Sequence, residues 1–169
     1  MAGVRGTGVV CLLCVALQAG SSQAEAPLKA DVAPAVGPSL AEALSLAQTA
    51  LVDCAARGYA ASVSVVDSTG LVRVILRADE QGKPPVAAPR KAATAAAFDQ
   101  AGSVMEAREK TDTAFAAQLA AHPDLYNDHP GSVPLHRGGV LMGGLAVADV
   151  PHEVADACVR VALAKSPFQ

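Results

Sequence analysis

The chain has 169 residues, of which 51% are hydrophobic and 17% charged, enough apolar material for the core of one ordinary domain and too much for a disordered protein. The formal net charge is −3 and Lys and Arg form no cluster, which argues against nucleic-acid binding and against a polybasic membrane surface. Aromatic residues make up only 3%, so Ala, Val and Leu must fill the core.

Residues 1–24 have the three parts of a secretory signal peptide. Arg5 supplies a positive charge, residues 9–17 form an apolar stretch too short to span a bilayer, and a Ser-Gln-Ala sequence ending at Ala24 matches a small-x-small cleavage site. We expect cleavage after Ala24 and a periplasmic or secreted protein with no membrane attachment after cleavage. An uncleaved membrane anchor is the alternative.

The domain itself is predicted to span residues 39–166, after a flexible lead-in over residues 25–38 that is rich in Ala and Pro. Ser39 and Glu42 match a capping box, in which each side chain bonds a free backbone amide, so a helix should begin there. Its apolar residues recur at helical spacing until Gly58, a natural helix end.

A β-hairpin is predicted after the first helix. Residues 61–67 alternate valine with serine, which indicates a strand with one buried face, and residues 71–78 form the returning strand. A loop with Gly and Pro follows, at residues 79–88.

Helices are predicted for the middle of the chain. The first starts at residue 89 or 90 and ends before Gly102. Ser103 and Glu106 match a second capping box, which predicts one helix running from there to Ala121.

The chain is predicted to end with a loop at 122–132, a second hairpin with strands at 133–135 and 140–147, and a helix from Pro151 to about Lys165. The resulting order, α-β-β-α-α-β-β-α, predicts an α+β fold with helices packed on an antiparallel sheet.

Cys54 and Cys158 are the cysteines that remain after removal of the leader, and each lies on the apolar side of a predicted helix. Two buried free thiols are the preferred interpretation. A disulfide is the alternative, because export would place the chain in an oxidising compartment.

Several short motifs, taken in order, resemble the GlcG/HbpS-like haem-binding family. The KAATA sequence that begins at Lys91 resembles the family's K-A-x-T-A helix start, and the RAD sequence at Arg77 resembles its R-x-D after the second strand. The glycine-rich residues 131–147 resemble its G-G-V-P ending. The resemblance covers about residues 39–164.

This resemblance implies a profilin-like fold, homo-oligomers, and binding of haem or a related tetrapyrrole. Two positions near the expected ligand face depart from the family pattern. Ser132 stands where the family has a second glycine, and Ala148-Asp149 replaces its usual Ser-Gly.

The expected ligand position is the start of the helix that contains Lys91, because free amides and the helix dipole favour an anionic group there. Lys91 and Arg77 could neutralise a propionate or a small carboxylate, and Thr94 is a candidate hydrogen-bond donor. The alternatives are solvated positions for the two cations and a packing role for Thr94.

Iron ligation would need an imidazole, and His122, His129 and His136 are candidates because all lie in predicted loops. A solvated loop histidine is the alternative for each. His152 is the fourth histidine, and no two have the helical i, i+4 spacing of a zinc site.

Glu106 and Glu109 have a spacing that can hold iron on one helix face, although a solvated face with Glu106 as a helix cap is the preferred interpretation. No nucleophile elbow, phosphate-binding glycine loop or paired-cysteine metal motif occurs, so no catalytic residue is assigned.

The sequence therefore predicts an exported haem-binding protein, more a binding protein than an enzyme. Two alternatives stay open: an accessory factor or enzyme that acts on a small organic acid in the same fold, and a structural oligomer that has lost its pocket. A homo-oligomer is expected because residues 92–97 include five alanines, whose small side chains let another element approach closely.

Overall fold

The computed structural model describes Gly3 and residues 35–169. The predicted signal peptide, its cleavage site and residues 25–34 of the lead-in lie outside this part. Residues 35–38 pack against the first hairpin: the carbonyl of Val36 accepts a 2.9 Å hydrogen bond from the Ser68 amide, and Pro38 is buried. Residues 35–38 of the predicted lead-in are therefore packed against the domain.

The helices and strands alternate in the order of two hairpins separated by helices. The described elements are α1 (Leu40–Ala56), β1 (Ser62–Asp67), β2 (Val72–Arg77), α2 (Ala87–Phe98), α3 (Gly102–Glu109), α4 (Thr113–Ala121), β3 (Ser132–Arg137), β4 (Val140–Ala148) and α5 (His152–Ala164).

The four strands form one antiparallel sheet in the order β2-β1-β4-β3. Helices α1 and α5 pack on one face of the sheet and bury the main core, whereas α2 packs on the other face. This arrangement confirms the predicted α+β, profilin-like layer fold. None of the helices described in residues 35–169 is both long and apolar enough to cross a membrane.

Strand β1 lies at the centre of the sheet, and all of its residues are buried. Val63 and Val65 face the main core, while Val66 packs against α2. The expectation of a single buried face was therefore wrong, because helices cover the sheet on both sides.

Helix α2 lies very close to β4. A Cβ atom added to Gly144 would collide with the carbonyl oxygen of Ala92, and Ala92 and Ala96 are buried against the sheet. The small side chains of α2 thus serve packing inside the chain, so they supply no argument for a second copy.

The helix predicted from Ser103 to Ala121 is two helices, α3 and α4. Asp112 interrupts it, because its carboxylate accepts a 3.0 Å hydrogen bond from the Phe115 amide and caps α4. The second predicted capping box is absent: α3 follows Ala101 with no side-chain cap. The first one, at Ser39 and Glu42, is confirmed.

Cys54 in α1 and Cys158 in α5 form a disulfide, with their Cα atoms 5.7 Å apart. The preferred interpretation of two free thiols was therefore wrong. The two helices pack side by side in the main core, which brings the cysteines together.

Candidate functional site

The start of α2 meets the 122–131 loop, and most of the predicted site residues lie at this junction. Lys91 is only 4% exposed. Its ammonium donates hydrogen bonds to the carbonyl of Pro130 in the loop and to the carbonyl of Val147 in β4. Lys91 therefore ties the loop to the sheet, and its side chain is not free to bind an external anion.

The pKa of Lys91 falls to about 8, because burial disfavours the charged ammonium. The carboxylates of Asp149, Asp156 and Glu106 act in the opposite direction. Lys91 is thus a buried cation with a structural role at this junction, because its hydrogen bonds go to backbone carbonyls.

Thr94 lies one turn after Lys91 and is fully buried. Its hydroxyl donates to the Arg90 carbonyl at 2.7 Å and accepts from the Asn127 amide at 2.8 Å. Both hydrogen-bonding directions are thus used within the chain, and Thr94 anchors the loop to α2.

Arg90, which was not among the predicted site residues, lies beside an open groove of about 330 Å³ between α2, the end of α3, α4 and the loop. Its guanidinium donates a 2.7 Å hydrogen bond to the Pro123 carbonyl, whereas its buried Nε has no hydrogen-bond partner among the described residues. Asp128, also in the groove lining, is 8% exposed, and its Oδ2 is likewise unpartnered there. The wall of the groove therefore contains a buried donor and a buried acceptor with no hydrogen-bond partner among the described residues.

His122 follows α4 directly and is exposed, with its ring edge against Tyr126, a residue of the groove lining. His129 lies at the other end of the loop, also in the groove lining. Its Nδ1 is 3.4 Å from an oxygen of Glu106, and its ring stacks on that of His152 with centroids 5.0 Å apart.

His136 and Arg77 lie away from this junction. His136 belongs to β3, where its Nε2 is 2.8 Å from a carboxylate oxygen of Asp99 and its backbone pairs with Gln169. His136 was predicted in a turn and is instead a strand residue, because β3 continues to Arg137.

Arg77 ends the edge strand β2, is exposed, and makes no side-chain hydrogen bond or ion pair within the described part of the chain. Arg77 pairs with Ser62 of β1, and Ser62 pairs with Ala148 of β4. The backbone of Arg77 therefore lies two strand spacings, about 10 Å, from the end of β4. Unlike Lys91, Arg77 is free to bind an anion.

Glu106 and His152 were not among the predicted site residues. His152 begins α5 and Glu106 lies in the middle of α3, and their closest atoms, an Nδ1 and a carboxylate oxygen, are 3.7 Å apart. The spacing of Glu106 and His152 in the sequence matches neither a helix nor a strand period, because only tertiary packing places these residues next to His129.

The two positions that depart from the family pattern are internal to the fold. Ser132 is fully buried beneath Gly102, where its hydroxyl has no hydrogen-bond partner among the described residues. Asp149 adopts a left-handed backbone conformation, with φ of 69°, directly after β4.

A family model described as "Haem degrading protein HbpS-like" matches residues 39–164, nearly all of this domain. The chain belongs to the HbpS-like family. No curated protein matches the sequence.

Solved structures agree with this HbpS-like assignment. A double mutant of Streptomyces reticuli HbpS is 27% identical, with a TM-score of 0.68 over 84% of this chain and 97% of that one. A PduOC:heme complex is 23% identical, with a TM-score of 0.72 over 79% and 98%. Klebsiella pneumoniae ORFY is 19% identical, with a TM-score of 0.70 over 82% and 96%. The last two similarities concern the fold.

Proposed function

We propose that this HbpS-like protein is exported and binds haem or a closely related tetrapyrrole, acting in binding rather than catalysis. The observation that carries the proposal is the groove beside α2, which Arg90 lines and where the lining residue Tyr126 contacts the exposed imidazole of His122. Haem needs both an axial ligand and partners for its carboxylates. Membership in the HbpS-like family and the likeness to a haem complex add support.

His122 is the proposed iron ligand. Its side chain is exposed and makes no ion pair within the described residues, whereas His129 contacts Glu106 and His136 contacts Asp99. A neutral imidazole with a free nitrogen is the axial ligand that haem iron accepts most readily.

Arg90 is the proposed partner of a propionate. Arg90 lines the groove, whereas Arg77 is exposed but lies away from the groove, at the end of β2, and takes no part in this proposed site. A guanidinium can bind a carboxylate through two parallel hydrogen bonds.

A homo-oligomer is part of the proposal, because the groove is small for haem and open on one side. At about 330 Å³ it is near the lower limit for small-molecule sites, so a second copy would complete the enclosure. A separate surface, the edge strand β2, also favours a contact between copies, since Val72 and Ile75 are 47% and 40% exposed there. Sedimentation should show at least a dimer at micromolar concentration, and a monomer would contradict this part.

The haem proposal is tested by titrating hemin into the exported protein and following the Soret band. We expect one haem per chain, an affinity at least tenfold weaker for His122→Ala, and an unchanged affinity for the matched control His136→Ala. Circular dichroism checks the fold of each variant.

Absence of a Soret band with the wild-type protein would overturn the haem function. If the Soret band is unchanged in His122→Ala but lost in His129→Ala, the iron ligand is His129, at the other end of the loop, and not His122.

A further inference from the structure

Three side chains from three separate elements meet beside the groove, and one of them, His129, also lines it. Glu106 comes from α3, His129 from the 122–131 loop and His152 from the start of α5. One potential ligand atom from each lies within 4.8 Å of the other two. None of these contacts is explained by the proposed haem site, in which His122 holds the iron.

The spacings of the Glu106 oxygen are longer than those of ordinary hydrogen bonds and close to those between ligands of one metal ion. One Glu106 oxygen lies 3.4 Å from His129 Nδ1 and 3.7 Å from His152 Nδ1, longer than an ordinary hydrogen bond. Ligand atoms at 2.0–2.1 Å from a tetrahedral zinc ion are separated by about 3.3 Å. The carboxylate oxygen is thus placed about as it would be if all three atoms shared one ion.

The backbone segments that carry two of the three ligands are packed directly against each other. A Cβ added to Gly102, at the start of α3, would collide with the carbonyl oxygen of His129, so the helix that carries Glu106 is packed directly on the loop. The imidazoles of His129 and His152 are nearly parallel, with an interplanar angle of 29°. Both are 51% exposed, which leaves the site accessible from solvent.

We propose that Glu106, His129 and His152 bind one divalent transition-metal ion, with the remaining coordination positions open to water. Two imidazoles and one carboxylate suit Zn²⁺, Co²⁺, Ni²⁺ or Fe²⁺, whereas Ca²⁺ and Mg²⁺ prefer oxygen-only sites. Lys110 lies 3.8 Å from the other Glu106 oxygen, so the oxygen that faces the histidines stays available.

The site differs from the metal patterns considered in the sequence. Glu109 takes no part, so the i, i+3 pair of glutamates is not the donor set, and neither histidine lies near the other in the chain. The nitrogen ligands come from a loop and a helix start that only the packing of α5 beside the 122–131 loop brings together.

Isothermal titration of Co²⁺ and Zn²⁺ into the exported protein, purified without a polyhistidine tag and without haem, tests this proposal. We expect one ion per chain, d–d absorption bands with Co²⁺, and affinity at least tenfold weaker in His152→Ala and in Glu106→Gln. His136→Ala is the control, because it removes a histidine of the same chain that also faces a carboxylate, Asp99.

Wild-type protein that binds no ion would overturn the proposal, as would equal affinities of the wild type and His152→Ala. Hemin titration of His152→Ala separates the two sites: we expect an unchanged Soret band, since His152 has no part in the proposed haem site. Loss of the Co²⁺ bands with retained haem binding in His152→Ala supports the metal site independently of the haem site. Loss of haem binding with retained Co²⁺ bands in His122→Ala supports the haem site independently of the metal site.

Discussion

The ammonium of Lys91 donates a 3.1 Å hydrogen bond to the carbonyl of Val147 and a second to that of Pro130. One side chain thereby joins α2, the last strand of the sheet and the 122–131 loop. The pKa of Lys91 is lowered to about 8 chiefly by burial, so this connection carries a cost that depends on pH.

Lys91 should make the stability of the wild-type protein rise with pH between about 8 and 10.5. In that window the unfolded chain, with the ordinary lysine pKa of 10.5, holds more protons than the folded chain, whose pKa is about 8. The folded state is then favoured as pH rises. At about 1.4 kcal/mol per pKa unit, the gain in the free energy of unfolding is at most about 3 kcal/mol.

Chemical denaturation of the wild type and of Lys91→Met at pH 7, 8, 9 and 10 measures this effect. Methionine keeps a similar length but takes no proton, so its profile should lack the rise. Parallel profiles for the two proteins would show that burial does not penalise the charged ammonium.

Gly144→Ala should lower the free energy of unfolding by about 1–3 kcal/mol, the usual cost of overpacking. The added methyl group would collide with the backbone of Ala92 in α2, so α2 or β4 would have to shift. Gly82→Ala is the matched control, because a Cβ there meets nothing within 4 Å. Urea midpoints that are equal for the two variants would contradict the close approach of α2 to β4.

Local sequence signals predicted the elements better than the contacts between them. The capping box at Ser39 was readable because both of its partners lie within one helical turn. The similar pattern at Ser103 failed, since the same spacing occurs where the chain is already helical and Asp112 provides the real cap of the next helix. A spacing rule thus locates helical sequence but does not fix the residue at which each helix begins.

The candidate site was predicted only in part, because local sequence patterns do not reveal contacts between distant elements. The helix start at Lys91 and the loop with His129 were both identified, but the sequence could not show that Lys91 points inward. Nor could it join Glu106 to His152, because that contact depends on how α3 and α5 pack around the loop. Contacts between distant elements follow from the assembled core and not from any periodic pattern.

Export should remove residues 1–24, because the apolar stretch at 9–17 and the cleavage pattern ending at Ala24 match a secretory signal. Mass spectrometry of protein recovered from the exporting host should give a chain that begins at Glu25. A full-length chain retained in the cytoplasm would contradict export.

Loss of the Cys54–Cys158 disulfide should strongly destabilise the domain. The bond links residues 104 positions apart, and a loop of about that length restricts the unfolded chain by roughly 4–5 kcal/mol in the chain-entropy model. Natural disulfides in small exported domains typically contribute about 2–5 kcal/mol. The bond also joins α1 to α5 within the main core, so it adds a covalent link to the packing of these two helices.

Guanidinium denaturation with and without reductant measures the contribution of this disulfide. The double variant Cys54→Ala, Cys158→Ala is the control: it should be as unstable as the reduced wild type and insensitive to reductant. A midpoint for the oxidised wild type no higher than that of the double variant would mean that the disulfide adds nothing to the packing of α1 against α5. A large difference would also fit export, because such a bond forms and persists in an oxidising compartment.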